Sequence, residues 1–222
     1  MADASVEYDA ASENNSEAST ENKVILLGMS GVGKTSLFLH IKDGQFYSDT
    51  TNIRTDQAIK KPIQVGQRTV EMTLYDSEAG MEYHEKTLTR GYYRNSDVVL
   101  LVYSADSIDS VTRLVNCITR VNEYAPEATK IVIRNKVDLE DQTVREHEVS
   151  AKITGEGHAI KYFCSTSALK SSGIDDLLLK IGKVILKKMR APVPVGSTIN
   201  SFDLFRAGQT QPTDTTNQST CC

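Results

Sequence analysis

The stretch Gly28-Met29-Ser30-Gly31-Val32-Gly33-Lys34-Thr35-Ser36 sets three glycines, an ammonium group and three hydroxyls within nine residues. It matches G-x-x-x-x-G-K-[ST], follows an apolar run and opens a helical pattern, the context that gives the motif meaning. Gly28, Gly31 and Gly33 let the backbone curl closely, so that successive N–H groups of Ser30, Val32 and their neighbours face one point at the positive end of a helix. That is a cradle for phosphate oxygens. Lys34 is positioned to reach β- and γ-phosphates, and the Thr35 hydroxyl to ligate Mg²⁺. This motif speaks of nucleotide phosphates, not of which base or which reaction.

A second stretch, Asn135-Lys136-Val137-Asp138, closes the apolar run "IVIR" roughly a hundred residues later. A carboxylate such as Asp138 can accept two hydrogen bonds, from N1–H and the 2-amino group of guanine, a pairing adenine cannot offer. A pocket built on such bonds discriminates strongly, because the wrong base leaves buried polar groups unpaired. Ser167-Ala168-Leu169 follows the next apolar run, where a backbone N–H can meet the guanine carbonyl. An ATP-using kinase or ATPase on the same phosphate loop is disfavoured by Asn135, Lys136 and Asp138.

Strands and helices alternate between these stretches. "KVILLG" (23–28) has the profile of a buried strand, and Lys34 to Lys42 of a helix with Leu37, Phe38 and Ile41 inward, stopping near Gly44. Alternation on both sides of Gly66-Gln67, within 63–76, predicts two strands joined by a tight turn. "DVVLLVYS" (97–104) is a further buried strand. Val111, Leu114, Val115, Ile118 and Val121 then mark one helical face. "KIVIRNKVD" and "AIKYFCSTSAL" each supply a strand and a loop. The last helix carries Ile174, Leu177, Leu178, Ile181, Val184 and Ile185 inward, with Asp175 and Asp176 in its first turn and Lys187 and Lys188 in its last, as its dipole favours. Strands separated by helices predict an α/β domain, a mostly parallel sheet with helices on both faces.

The 222 residues allow one globular domain with tails. Residues 1–22 hold six carboxylates (Asp3, Glu7, Asp9, Glu13, Glu17 and Glu21) and no Lys or Arg, and read as a disordered acidic arm. Residues 23–190 are the domain. Residues 191–222 open with "APVPVGS" and read as a flexible tail, interrupted by Phe202, Leu204 and Phe205 and ending in Cys221-Cys222. A net charge of −4 leaves no basic footprint for nucleic-acid binding. Cys117 and Cys164 lie singly in apolar runs and read as buried reduced thiols. No secretory signal or membrane-spanning run is present, which predicts a cytoplasmic protein unless something is attached to it.

These motifs, with "LTRGYYRNSDVVLLVYS" (88–104), "TSAL" (166–169) and the terminal "CC", resemble a Ras-superfamily small GTPase, and most of all the Rab family. The resemblance covers roughly residues 23 to 190. It implies a P-loop NTPase G domain with a six-stranded sheet and five helices, GTP or GDP bound with Mg²⁺, and two switch segments that order around the γ-phosphate. It implies Phe46 against the guanine and Asp76, forty-two residues after Lys34, at the metal. Ungapped alignment puts Ile53 where the γ-phosphate-sensing threonine of switch I is expected; Thr51, preferred here, or Thr55 takes that role with a local gap. Where Rab proteins continue D-T-A-G-Q-E, this chain has Asp76-Ser-Glu-Ala-Gly80-Met81-Glu82, with one residue inserted before Gly80 and a second before Tyr92-Tyr93. Gly80 is expected to donate its N–H to the γ-phosphate, so that Gly80 and Lys34 serve the reacting phosphate. Met81 stands in place of the glutamine that orients attacking water. A thioether cannot donate a hydrogen bond, which predicts slow GTP hydrolysis or a GTP-binding scaffold that does not hydrolyse. In Ras, an activating protein uses that glutamine and an arginine to accelerate hydrolysis by about 10⁵. The resemblance further implies geranylgeranylation of Cys221 and Cys222 and anchoring to the cytosolic face of an intracellular membrane. It implies a monomer that meets an exchange factor, a GTPase-activating protein, effectors and prenyl-protein escort or GDI proteins in vesicle and protein transport.

Overall fold

A computed structural model describes residues 21–50, 53, 58–77, 90–158 and 160–190, all within the unit that ends at Arg190. The elements run β1 (Lys23–Leu27), α1 (Lys34–Asp43), β2 (Ala58–Val65), β3 (Arg68–Tyr75), α2 (Arg90–Tyr93), β4 (Val98–Ser104), α3 (Ile108–Tyr124), β5 (Thr129–Asn135), α4 (Glu146–Gly155), β6 (Tyr162–Ser165) and α5 (Ile174–Arg190). The sheet order is β2-β3-β1-β4-β5-β6, antiparallel at β2–β3 and parallel elsewhere. This is the mostly parallel six-stranded α/β sheet that the alternating pattern predicts.

Successive strand residues face opposite ways, so a strand covered on both faces must be apolar throughout. Val24 and Leu26 of β1 and Val98, Leu100 and Val102 of β4 join one core, built with Leu37, Phe38 and Ile41 of α1 and Leu177, Ile181 and Ile185 of α5. Ile25 and Leu27 of β1, with Val99, Leu101 and Tyr103 of β4, join the other, under α3 and α4. α5 lies close on the β2–β3 hairpin because Gly182 has no side chain: a Cβ there would sit 2.5 Å from Val65 Cγ2 and 2.8 Å from Ile63 Cγ2.

Helix ends follow local chemistry. Ser107 caps α3, its Oγ accepting from Ser110 N at 3.3 Å. α1 stops at Gly44, which takes a left-handed φ of 72° and donates its N–H to His40 O at 2.8 Å. Two departures from the sequence reading have physical reasons. β2 begins at Ala58 rather than near Ile63, since pairing with the whole of β3 extends it past its apolar residues. α4 escapes the pattern because it buries only Val149 and Ile153. Cys117 and Cys164 are free thiols but only half-buried, a correction to their placement in the core.

Because β1, β3, β4, β5 and β6 run parallel, their C-terminal ends open on one edge of the sheet. The loops that leave those ends are the ones the sequence marks for chemistry, where open α/β sheets place their ligands.

Candidate functional site

The loop after β1 is shaped by what lies behind it. Gly28 has φ 150°, and a Cβ there would stand 2.2 Å from the backbone oxygen of Val102 on β4. Gly33 has φ 91°, and its missing Cβ leaves room for Asn135, whose Nδ2 would otherwise be 2.5 Å away. Gly33 is also the N-cap of α1 and offers no side-chain oxygen, so the first turn of the helix has no capping group of its own. Glycines with φ of 81° at Gly31 and 91° at Gly33, followed by a helix start, give the concave run of backbone donors that binds anions. Lys34 is almost fully buried, and its Nζ donates to Gly28 O at 2.9 Å and Met29 O at 2.8 Å. The loop thus wraps its own cation, which holds a positive centre beneath the cradle.

At the start of α1, Thr35 Oγ1 donates to Asp76 Oδ2 at 2.9 Å. Asp76 follows β3 directly and is only 4 % exposed. A hydroxyl and a carboxylate side by side are hard oxygen donors of the kind that hold Mg²⁺ through one or two protein ligands, with phosphates completing the shell. The donor set fits that ion. Just beyond the gap in the described residues, Tyr92 fixes the other end of the same region. Its hydroxyl lies 3.4 Å from Leu26 O and 3.3 Å from Tyr75 O, and burial, then the charge of Asp76, pushes its ionisation well above the usual phenol range.

On the far side, Asn135 joins three segments. Its Nδ2 donates to Val32 O at 3.0 Å and approaches Gly33 O at 3.5 Å, while its Oδ1 accepts from Thr166 Oγ1 at 3.0 Å. Asn135 is 1 % exposed and Thr166 fully buried, so water does not share these bonds. Lys136 follows in a left-handed conformation, φ 62°, with its Cε 3.8 Å from where a Gly33 Cβ would be. Asp138 is held by Ser167, whose Oγ donates to Asp138 Oδ1 and accepts from Lys170 N at 3.0 Å. Ser167 and Ser172 exchange two backbone bonds, at 3.0 and 3.1 Å, which closes the loop after β6 into a tight ring. Gly173 completes it, since any Cβ would meet Ser165 O at 2.0 Å. The N–H of buried Ala168 donates to no group among the described residues.

The predicted residues Gly28, Ser30, Gly31, Val32, Gly33, Lys34, Thr35, Ser36, Asp76, Asn135, Lys136, Asp138, Ser167 and Ala168 all lie at this edge of the sheet. Leu169 is beside Ala168 with half its surface exposed. Phe46 stays out of both cores and is 39 % exposed, which leaves its ring face open rather than packed. Ile53 packs against the first core, so its place in the ungapped alignment is a packing position. Thr51, Thr55, Gly80, Met81, Cys221 and Cys222 lie outside the described residues, as do residues 1–20 and 191–222. Sequence reasoning missed the part of Thr166 as the partner of Asn135. It also missed the brace of Arg134 Nη2 to Gln142 Oε1 and Gln142 Nε2 to Val137 O, both 2.7 Å, behind the second loop. A hydroxyl directly after the edge strand β6 was the available signal for Thr166.

Residues 23–187 match the Ras family. The chain is 32 % identical over 177 residues to "GTP-binding protein YPT1" of Saccharomyces cerevisiae, covering 79 % of this chain and 84 % of that one. It is 30 % identical over 186 residues to "Ras-related protein Rab-15" of Rattus norvegicus, covering 83 % and 86 %. It is 29 % identical over 185 residues to "Ras-related protein Rab-1C" of Dictyostelium discoideum, covering 82 % and 90 %.

Proposed function

The chain belongs to the Ras family of small GTPases, on its Rab side, and from that premise we propose that it binds GTP and GDP with Mg²⁺ at this edge of the sheet. In this reading it works as a membrane-anchored switch in vesicle trafficking and hydrolyses GTP slowly. The observation that carries the nucleotide site is the Asn135 strut, which fixes the phosphate loop and the loop of Asp138 to one another. A ligand with phosphates at one end and a purine at the other is what two such loops, rigidly spaced, are suited to hold.

The roles follow from the chemistry of each group. Backbone donors of 30–36 bind phosphate oxygens, and Lys34, freed from its two carbonyls, turns toward the β- and γ-phosphates. Thr35 and Asp76 are the residues that would hold the metal, which when bound would supply positive charge to the phosphate oxygens. Asp138 accepts from N1–H and the 2-amino group of guanine, oriented by Ser167. The N–H of Ala168 donates to the guanine carbonyl, and the exposed ring of Phe46 covers a face of the base. Lys136 covers the phosphate loop with its stem. Thr51 or Thr55 and Gly80 sense the γ-phosphate.

Met81, at the position of the water-orienting glutamine, supports slow turnover, because it offers attacking water no donor and only a weak acceptor. A scaffold that holds GTP without cleaving it rests on the same residue. Cys221 and Cys222 support a double lipid anchor to a cytosol-facing membrane, with exchange factors, activators, effectors and escort proteins as partners of a monomer. The test is the nucleotide content of the purified protein, followed by a hydrolysis time course. Magnesium-dependent retention of guanosine nucleotides with slow release of phosphate is expected. Retention without any cleavage replaces the switch by the scaffold, and preference for ATP removes both.

A further inference from the structure

A groove of about 450 Å³ runs between α5 and the β2–β3 turn, far along the sheet from the loops of the nucleotide site. Its floor is apolar, from Val65 and Leu186, and its walls carry Arg68, Lys183, Lys187 and Arg190 with Gln67 at the rim. Four cations line it, and among the described residues no carboxylate does. Lys183 and Lys187 stand one turn apart on α5, and Arg190 follows on the same face, an arrangement that costs an isolated helix stability through like-charge repulsion. None of the four has a partner among the described residues, whereas Lys188 pairs with Asp97 and Lys60 with Glu71. The negative end of the helix dipole accounts for cations in the last turn of α5. It accounts neither for Lys183, further back, nor for Arg68, on the hairpin.

An unpaired positive patch on a chain of net charge −4 asks for an anionic occupant. Its position says which. The chain leaves α5 at Arg190, beside the groove, and enters the segment 191–222, where the only basic residue is Arg206. That segment carries the proposed lipid anchor and brings almost no charge of its own to an acidic membrane. We propose that the α5–hairpin groove docks on acidic lipid headgroups, so that the folded domain supplies the positive charge its tail lacks. The apolar floor lets the lysine stems lie flat while their ammonium groups reach the headgroup layer. Docking through this groove turns one flank of the sheet to the bilayer and leaves the loop edge accessible to partners.

The choice of occupant rests on the proposed anchor, but the test concerns charge alone and uses no lipid chains, so its failure is distinguishable from failure of the nucleotide reading or of the anchor. Full-length, unlipidated protein loaded with GDP is sedimented with phosphatidylcholine vesicles, with or without phosphatidylserine, at low and high salt. Each basic residue near an anionic surface contributes roughly fivefold to partitioning. The triple variant K183Q/K187Q/R190Q is therefore expected to bind serine-lipid vesicles roughly a hundredfold more weakly. The control K60Q/K152Q/K161Q removes the same charge elsewhere and is expected to stay within about threefold of wild type, a non-specific effect of net charge. Arg68→Gln alone, on the hairpin, is expected to lose about fivefold and keeps the test open if the helix variant is unstable. Retained GDP and a binding signal abolished by salt complete the expected result. Equal binding to both vesicle types overturns the proposal, and so does equal loss in the control. Shielding of the groove lysines from acylation by the acidic residues 1–20, undiminished by vesicles, overturns it in favour of an occupant within the chain.

Discussion

Replacing Asn135 by alanine tests whether the strut or the separate loops make the site. The substitution removes the bond to Val32 O and the bond from Thr166, both 3.0 Å, and the longer approach to Gly33 O at 3.5 Å adds little. The partners left behind matter more than the bonds themselves. Thr166 Oγ1 is fully buried, and Val32 O loses its partner beside a site that is 1 % exposed. Each unsatisfied buried group costs about 1–3 kcal/mol, so the variant is expected to lose about 2–5 kcal/mol shared between folding and nucleotide affinity. With half of that loss falling on the nucleotide, about 1–2.5 kcal/mol at 1.4 kcal/mol per decade corresponds to faster GDP release by about 5- to 60-fold. The assay is stopped-flow release of a fluorescent GDP analogue, with urea unfolding of the same samples to separate the two shares. Asn135→Asp sharpens the sign. It keeps the acceptor for Thr166 but turns the donor facing Val32 O into a second acceptor and adds a negative charge near the phosphates. It should therefore release nucleotide faster than the alanine variant. Release within twofold of wild type for both variants would falsify the strut as the element that unites the site.

Three further predictions rest on other parts of the molecule. Gly182→Ala gains about 0.5–1 kcal/mol of helix propensity but drives a methyl to 2.5 Å from Val65 Cγ2, and overpacking of about 1–3 kcal/mol wins; the urea midpoint should fall with the slope unchanged. Tyr103→Phe removes a buried hydroxyl that has no partner among the described residues, so stability at neutral pH should stay level or rise by up to about 1 kcal/mol. Burial pushes the Tyr103 phenol well above its usual range, against a smaller opposing pull from Arg134. The unfolded chain then releases that proton near pH 10 while the folded chain keeps it, so this share of stability is lost as pH rises above about 10. Alkaline unfolding of Tyr103→Phe should accordingly be flatter than that of the wild type. Met81→Gln is expected to raise single-turnover phosphate release on the order of tenfold, part of a water-orienting gain being offset by the longer loop; no gain counts against the assignment of Met81.

The two loops proposed to carry the chemistry were readable one by one, because each proposed role depends on a residue type at a fixed local spacing. Gly28, Gly33 and Lys34 declare a phosphate cradle through the backbone freedom of glycine and the reach of one ammonium. Asp138 declares a purine reader through its two acceptor oxygens. The strands were readable for a similar reason: a strand buried on both faces is apolar along its length, as β4 is from Val98 to Tyr103. α4 was not, since a helix that buries two residues leaves too faint a stripe.

What local spacing leaves open is who meets whom. Asn135 looks like a base-reading residue in the sequence, yet its side chain is taken up by Val32, Gly33 and Thr166, partners about a hundred residues before it and thirty-one after. Arg68 and Lys183 face one groove only because α5 lies against the hairpin, where Gly182 leaves room for Val65 and Ile63. The chain by itself determined the donors, the acceptors and the alternation of strands and helices, which are properties of neighbours along the backbone. The parallel sheet decided the rest, because the order in which strands pair sets which distant side chains stand within bonding distance.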